Sequence, residues 1–283
     1  MNAQLNSRRD KWLVLPLLVF FTIFVAVPLL LMLVISLFND TAMTQLGLGQ
    51  YLKFIGDGFN RAILGETLLI AFSAVVVSIL IGYPVAYVYT LVSRNWQRLL
   101  LFLILLPLLT SSVVRTFSWV VILGREGLVN QLLLSLGMIS APLKLLYTPG
   151  AVILAVSQIE MPMMVLPLIS SLTAIDARLR DASYALGAGH WRTFIRVTLP
   201  LSFPGLLAGS LLVFAASASA FVTQTLIGGG RMIFMPFYIY QQAIQSQNYP
   251  FAATIAVVLL CSVMAIVTVM NIAGRRSKGF IYG

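Results

Sequence analysis

The sequence is poor in residues that do chemistry. One cysteine, Cys261, and one histidine, His190, stand among 283 residues. That excludes an internal disulfide framework and a Cys/His zinc cluster, so neither a metal nor a cofactor is expected. Only eight carboxylates occur, scattered along the chain, which leaves little material for paired acids or a Ser/His/Asp set. An intramembrane enzyme is therefore disfavoured. None of the four lysines follows a glycine, so the Gly-Lys-Ser/Thr phosphate loop is missing and the chain cannot hydrolyse ATP by the usual route. Charged residues make up 9% of the composition and hydrophobic residues 60%. A soluble domain of this length could not hide that much apolar surface, so the solvent is lipid.

A bilayer core takes about 20 apolar residues per helix. Six segments qualify: 12–38, 66–91, 99–123, 148–173, 201–227 and 251–274. The first follows Arg8-Arg9-Asp10-Lys11 but is too long for a signal peptide and lacks a small-x-small cleavage site, so it reads as a retained span. The expectation is an all-α, six-span membrane domain over 12–274, between cytoplasmic ends at 1–11 and 275–283. Placing both ends inside puts twelve of the eighteen basic residues in the cytoplasm, among them Arg94, Arg98, Arg178, Arg180, Arg192 and Arg196. The rule that Lys and Arg stay inside favours that orientation. The formal charge of +10 is then a topology signal, and nucleic acid is not an expected partner. The outer connection 39–65, with Gly47, Gly49, Gly56 and Gly58, reads as a flexible or partly folded loop, and 228–250 as an outer loop rich in aromatic and amide side chains from Tyr238 to Asn248.

Between the fourth and fifth spans lies a polar, basic insert, 174–200. Apolar positions at Ile175, Leu179, Ala182 and Leu186 predict a short helix. Gly187-Ala188-Gly189 predicts a stop and turn, and His190–Thr198 a second short helix ending at Leu199-Pro200. A pair of amphipathic helices on lipid headgroups is one reading; a docking element for a soluble partner is the other. Inside the membrane, Gln158, Glu160 and Pro162 make a polar spot in the fourth span, since proline leaves a carbonyl without its donor. An intramembrane carboxylate is costly and marks either a cation path or a structural pair. Arg115 is the candidate counter-charge, roughly 6 Å away in depth at helical rise; it could instead snorkel outward. Gly205-x-x-x-Gly209 permits close helix contact.

Asp181-Ala182-Ser183, then Gly187, then Val197-x-Leu199-Pro200, resembles the "EAA" loop of ABC importer permeases, with Asp for the usual Glu and Ser for the second Ala. Leu106-Pro107 through Arg115 to Trp119, Met161-Pro162 through Leu166-Pro167-Leu168, and Tyr249-Pro250-Phe251 are similar to polyamine-type permeases. The resemblance covers most of the chain from about residue 66. It implies a type I importer half in a bacterial inner membrane. The implied partners are a second permease subunit forming a heterodimer, two ATP-binding subunits and an extracytoplasmic solute-binding protein. Asp181, Ala182, Ser183, Gly187, Arg192, Leu199 and Pro200 would couple to the ATP-binding subunit, and Gln158, Glu160 and Arg115 are candidates for the translocation path. The implied cargo is a polyamine such as spermidine or putrescine. The alternatives are another solute on the same machinery (iron, thiamine, an opine or a phosphonate) and a secondary transporter working without ATP.

Overall fold

Apolar segments in lipid must satisfy their backbone polar groups internally, which leaves helices as the economical solution. In the computed structural model, residues 15–281 are described, with side chains through residue 274. The expected cytoplasmic segment 1–11, and the side chains of Arg275, Arg276 and Lys278, lie outside the described residues. Those described are predominantly helical, with one isolated bridge between Phe38 and Leu46 and no strand.

From the first described residue come α1 (Leu15–Ser36), short α2 (Gly49–Gly56) and α3 (Gly58–Leu91). Helix α4 (Arg94–Leu105) passes into a 3-10 turn (Leu106–Leu109), followed by α5 (Ser112–Leu123) and α6 (Leu128–Ser135). Next are α7 (Pro149–Thr173), short α8 (Ala177–Ala185) and α9 (His190–Ala218). The order ends with α10 (Phe221–Gly228), α11 (Met235–Tyr240) and α12 (Tyr249–Ile281). Five helices (α1, α3, α7, α9 and α12) are long and apolar enough to cross a membrane, and the bent pair Arg94–Leu109 with Ser112–Ser135 passes the same test when its two halves are taken together.

Four expectations need correction. The third span is not one straight helix over 99–123 but a chain bent by 100°. Pro107 cannot donate to the helical ladder, and the Ser111 hydroxyl starts a new helix by accepting from the Val113 amide at 3.3 Å. The second span begins at Gly58, because Asp57 Oδ1 accepts from the Phe59 amide at 2.9 Å and so caps α3. The loop expected over 228–250 is largely helical, with α11 followed by a π turn (Gln241–Gln245). The fifth span starts at His190 and breaks at Ser219-Ala220, inside the stretch read as one helix over 201–227.

The chain divides into two compact units, Met1–Arg61 with Tyr238–Leu260 and Ala62–Phe237 with Cys261–Gly283. In the first, α1 is apolar on every side and its span is unburied, as suits a helix that lipid can surround. Polar bonds tie its C-terminal end to α2 and α12: Ser36 Oγ meets Tyr51 Oη at 2.7 Å, and Thr254 Oγ1 donates to the Ser36 carbonyl at 3.3 Å. Tyr238 Oη donates to Asn60 Oδ1 at 2.9 Å within the same unit.

The second unit is built on α7 and α9. Lipid tails are as apolar as leucine, so these helices hold by close packing. A side chain at Gly205 would run into Ser171 and the Pro167 carbonyl, and one at Gly209 into Met164. The Gly205-x-x-x-Gly209 pattern is therefore an intrachain seam. Around it Ala71, Val75, Val165, Leu168, Val213 and Phe214 form a buried cluster. Hydroxyls pin α3 across it: Ser78 Oγ donates to the Ser157 carbonyl at 3.2 Å, and Tyr83 Oη lies 2.7 Å from Ser202 Oγ.

Candidate coupling hairpin and membrane cavity

The insert 174–200 folds as a hairpin. Asp176 caps α8, its Oδ1 accepting from the Arg178 amide at 2.9 Å. Gly187 comes next with φ +80°, a left-handed turn with open space around it; glycine is needed there for backbone conformation. The return arm is the first part of α9. A π turn, Phe194–Thr198, leads into the span, and the Leu199 amide reaches back to the Phe194 carbonyl. That wider turn carries the helix past Pro200, which has no amide to give. The second short helix expected to stop at Leu199-Pro200 thus continues without a break to Ala218.

Two contacts fix the hairpin. Ser183 Oγ and Thr193 Oγ1 lie 2.9 Å apart, joining its arms. The Phe194 ring sits edge-on to Tyr83 (5.7 Å) and Tyr87 (5.4 Å) of α3 and stacks on Trp191. Of the residues expected to meet a partner, Asp181, Ala182, Gly187 and Arg192 are exposed. Ser183 bonds its own hairpin, and Leu199 and Pro200 are half-buried within α9. Pattern reading missed the apolar tip: Leu186 is 89% exposed and Trp191 73%. Both stand bare on a largely polar hairpin. Their sequence signal was two bulky apolar residues flanking the glycine turn.

The polar spot in the fourth span has a different arrangement from either expectation. Pro162 and Pro167 sit inside a continuous α7. Arg115 acts on the Glu160 charge without a direct hydrogen bond to it; its Nη1 donates to the Ile159 carbonyl at 3.0 Å. One turn on, Trp119 Nε1 donates to Gln158 Oε1 at 3.1 Å. Arg115 and Trp119 share one face of α5, so the pair staples α5 to α7. A guanidinium with a strong acceptor at hand has no need to reach for the interface.

Glu160 is left facing a cavity of about 370 Å³, lined also by Ser112, Met163, Ser219, Ala220 and Thr223. The break between α9 and α10 forms one wall. Thr116 Oγ1 lies 3.0 Å from Thr223 Oγ1, and Gln224 Nε2 donates to the Ser217 carbonyl at 2.9 Å, which holds the break in place. The C-terminal end of α9 and the N-terminal end of α10 meet there, so their dipole fields oppose. Glu160 alone among the lining residues is ionisable, with Arg115 close enough to act on its charge. Among the described residues no group of three or more His, Cys, Asp or Glu side chains could hold a metal.

Residues 78–277 match the family described as the binding-protein-dependent transport system inner membrane component. The chain is 31% identical over 256 residues to the spermidine/putrescine transport system permease protein PotB of Haemophilus influenzae, covering 89% of this chain and 90% of that protein. PotB of Escherichia coli K12 is 34% identical over 212 residues, 75% of this chain and 77% of its own length. A putative 2-aminoethylphosphonate transport system permease protein, PhnU of Salmonella typhimurium, is 28% identical over 274 residues, 96% and 95% of the two chains. Among solved structures, a bacterial ABC transporter involved in the import of the acidic polysaccharide alginate superposes with a TM-score of 0.77 at 20% identity, over 95% of this chain and 96% of that one. That likeness shows the fold. The chain belongs to the binding-protein-dependent transport family and is an inner-membrane permease component of such a system, not an enzyme.

Proposed function

We propose that the chain carries a small polyamine, of the spermidine or putrescine kind, into the cell, with ATP hydrolysed by a partner. The observation that carries the cargo reading is Glu160, the one ionisable side chain lining the cavity at the break of the fifth span. A carboxylate with hydroxyls nearby stabilises an ammonium group and disfavours anions. The kinship with PotB proteins points the same way. In this reading both termini and residues 174–200 face the cytoplasm. Two ATP-binding subunits dock there, a second and different permease completes the path, and a solute-binding protein delivers cargo outside.

The hairpin supplies the coupling. Leu186, Trp191 and Asp181 present the surface that a nucleotide-binding subunit grips. Ser183, Thr193 and Phe194 make the hairpin rigid. From His190, α9 then runs unbroken to Ala218, about 40 Å at helical rise, and ends at the cavity wall. Movement of the hairpin on ATP binding thus reaches Glu160 through one stiff element, and the two nucleotide states bias inward and outward access.

A second cargo, 2-aminoethylphosphonate, also bears an ammonium group and is named for the relative PhnU. Uptake of radiolabelled spermidine by the assembled system, with unlabelled putrescine and 2-aminoethylphosphonate as competitors, separates the two. Spermidine uptake that depends on ATP, is blocked by putrescine and falls with Glu160→Gln supports the proposal. Uptake of neither polyamine, or uptake indifferent to Glu160→Gln, overturns the cargo reading.

A further inference from the structure

Away from the cavity, at the opposite end of the spans from the hairpin, the connections after α5, before α7 and after α10 form a second cleft. Its volume is about 310 Å³, and Arg125, Lys144 and Arg231 all line it together with Tyr147 and Leu143. No carboxylate belongs to its lining; Glu126, next to Arg125 in sequence, is not among the lining residues.

The cleft is built. Asn130, fully buried, donates from Nδ2 to the Gly124 and Leu143 carbonyls at 3.0 Å each, and its Oδ1 accepts from the Leu143 amide at 2.8 Å. One side chain thereby clamps together the segments that bear Arg125 and Lys144. Tyr147 adopts φ +63°, an unusual conformation for a non-glycine residue, and its ring lies 5.8 Å from the Arg231 guanidinium. Three cations from separate stretches are thus gathered, and among the described residues none of them forms an ion pair.

In the orientation proposed above this end is extracytoplasmic, where the topology rule keeps Lys and Arg scarce. Arg125, Lys144 and Arg231 are all the basic residues of the second unit on that side, and they share one cleft. A cationic cargo is repelled by it. A single inorganic anion would fill little of a volume at the lower edge of ligand pockets, about 300 Å³. We infer that the cleft is a docking socket for acidic side chains on a surface loop of the extracytoplasmic solute-binding protein. Like-charged cargo is then kept off the docking surface and directed to the path. The inference rests on the importer reading for its partner and orientation.

The test uses the assembled importer in lipid nanodiscs, reading ATPase rate as purified solute-binding protein of the same system is titrated. Stimulation of the wild type tests the importer reading before any variant is compared. With Arg125→Gln, Lys144→Gln and Arg231→Gln together, the half-maximal concentration rises about tenfold at low salt and its salt dependence flattens. A curve that overlays the wild type overturns the inference. So does a shift present with phosphatidylglycerol and absent with phosphatidylcholine alone, since a lipid headgroup would then be the occupant. Binding of fluorescent hexaglutamate to the purified chain, saturable in the wild type and lost in the triple variant, supports the socket independently of the partner. Equal binding by both proteins overturns it.

Discussion

Glu160 makes no hydrogen bond to another described residue, while the nearby Arg115 is engaged by the Ile159 carbonyl. Replacing the Glu160 charge by an amide of the same shape removes a charge-assisted contact of about 1.5–3 kcal/mol. Glu160→Gln is expected to raise the KM for spermidine uptake about tenfold or more, with binding-protein-stimulated ATPase showing that the complex still assembles. Asp40 offers a pH-dependent test in the first unit. Its carboxylate accepts from the Thr44 hydroxyl at 2.7 Å and from the Thr44 and Gln45 amides. These bonds, that of the Thr44 hydroxyl first, hold its pKa below the usual carboxylate value. A depressed folded pKa means the stabilisation is present at neutral pH and is lost as pH falls through that folded value. Hydrogen exchange at Thr44 and Gln45, corrected for intrinsic rates, should therefore quicken in acid. Asp40→Asn should be less protected at pH 7 and nearly flat with pH.

At the scale of elements, the turn at Gly187 and the seam at Gly209 depend on glycine for different reasons. Gly187 has φ +80° and nothing near its absent side chain, so Val there meets backbone strain alone, roughly 1–2 kcal/mol, enough to shift the hairpin. Gly187→Val should leave ATPase activity and lose uptake; Gly187→Asn, which tolerates that conformation, should keep both. Gly209 lies against Met164, and Gly209→Val overpacks the α7–α9 seam by about 1–3 kcal/mol. A lower midpoint of thermal unfolding in detergent is expected, with Gly150→Ala, where space is open, unchanged. Both glycines were legible: one as a turn between polar arms, the other as a small-residue stripe. The breaks at Leu106–Leu109 and Ser219-Ala220 were not, because both lie in apolar stretches that hydropathy counts as continuous. For 39–65 the glycines left a flexible or a partly folded loop open, and α2 is the folded part. Arg115 went to a backbone carbonyl, and a reading of charges alone pairs it with Glu160.

For the whole molecule, the distribution of charge argues for an orientation that the fold by itself does not impose. Helices of this kind pack equally well either way up, whereas moving a cluster of Lys and Arg across a membrane does not come free. Arg94 and Arg98 lie in the first turns of α4, just after its link to α3, and Arg178, Arg180, Arg192 and Arg196 crowd the hairpin. The opposite ends of the same helices carry only Arg125, Lys144 and Arg231 in the second unit, gathered at one cleft. Cysteine labelling reads the result, since the chain's single cysteine can be removed as Cys261→Ser without touching a disulfide. On that background, Asn95→Cys reports the link after α3 and Met138→Cys the link before α7; both native side chains are exposed. A membrane-impermeant maleimide added to spheroplasts should label Met138→Cys and spare Asn95→Cys, and inside-out vesicles should reverse the pattern. The reversed result in spheroplasts would put the hairpin outside, away from any source of ATP, and the coupling role of residues 174–200 would fall with it.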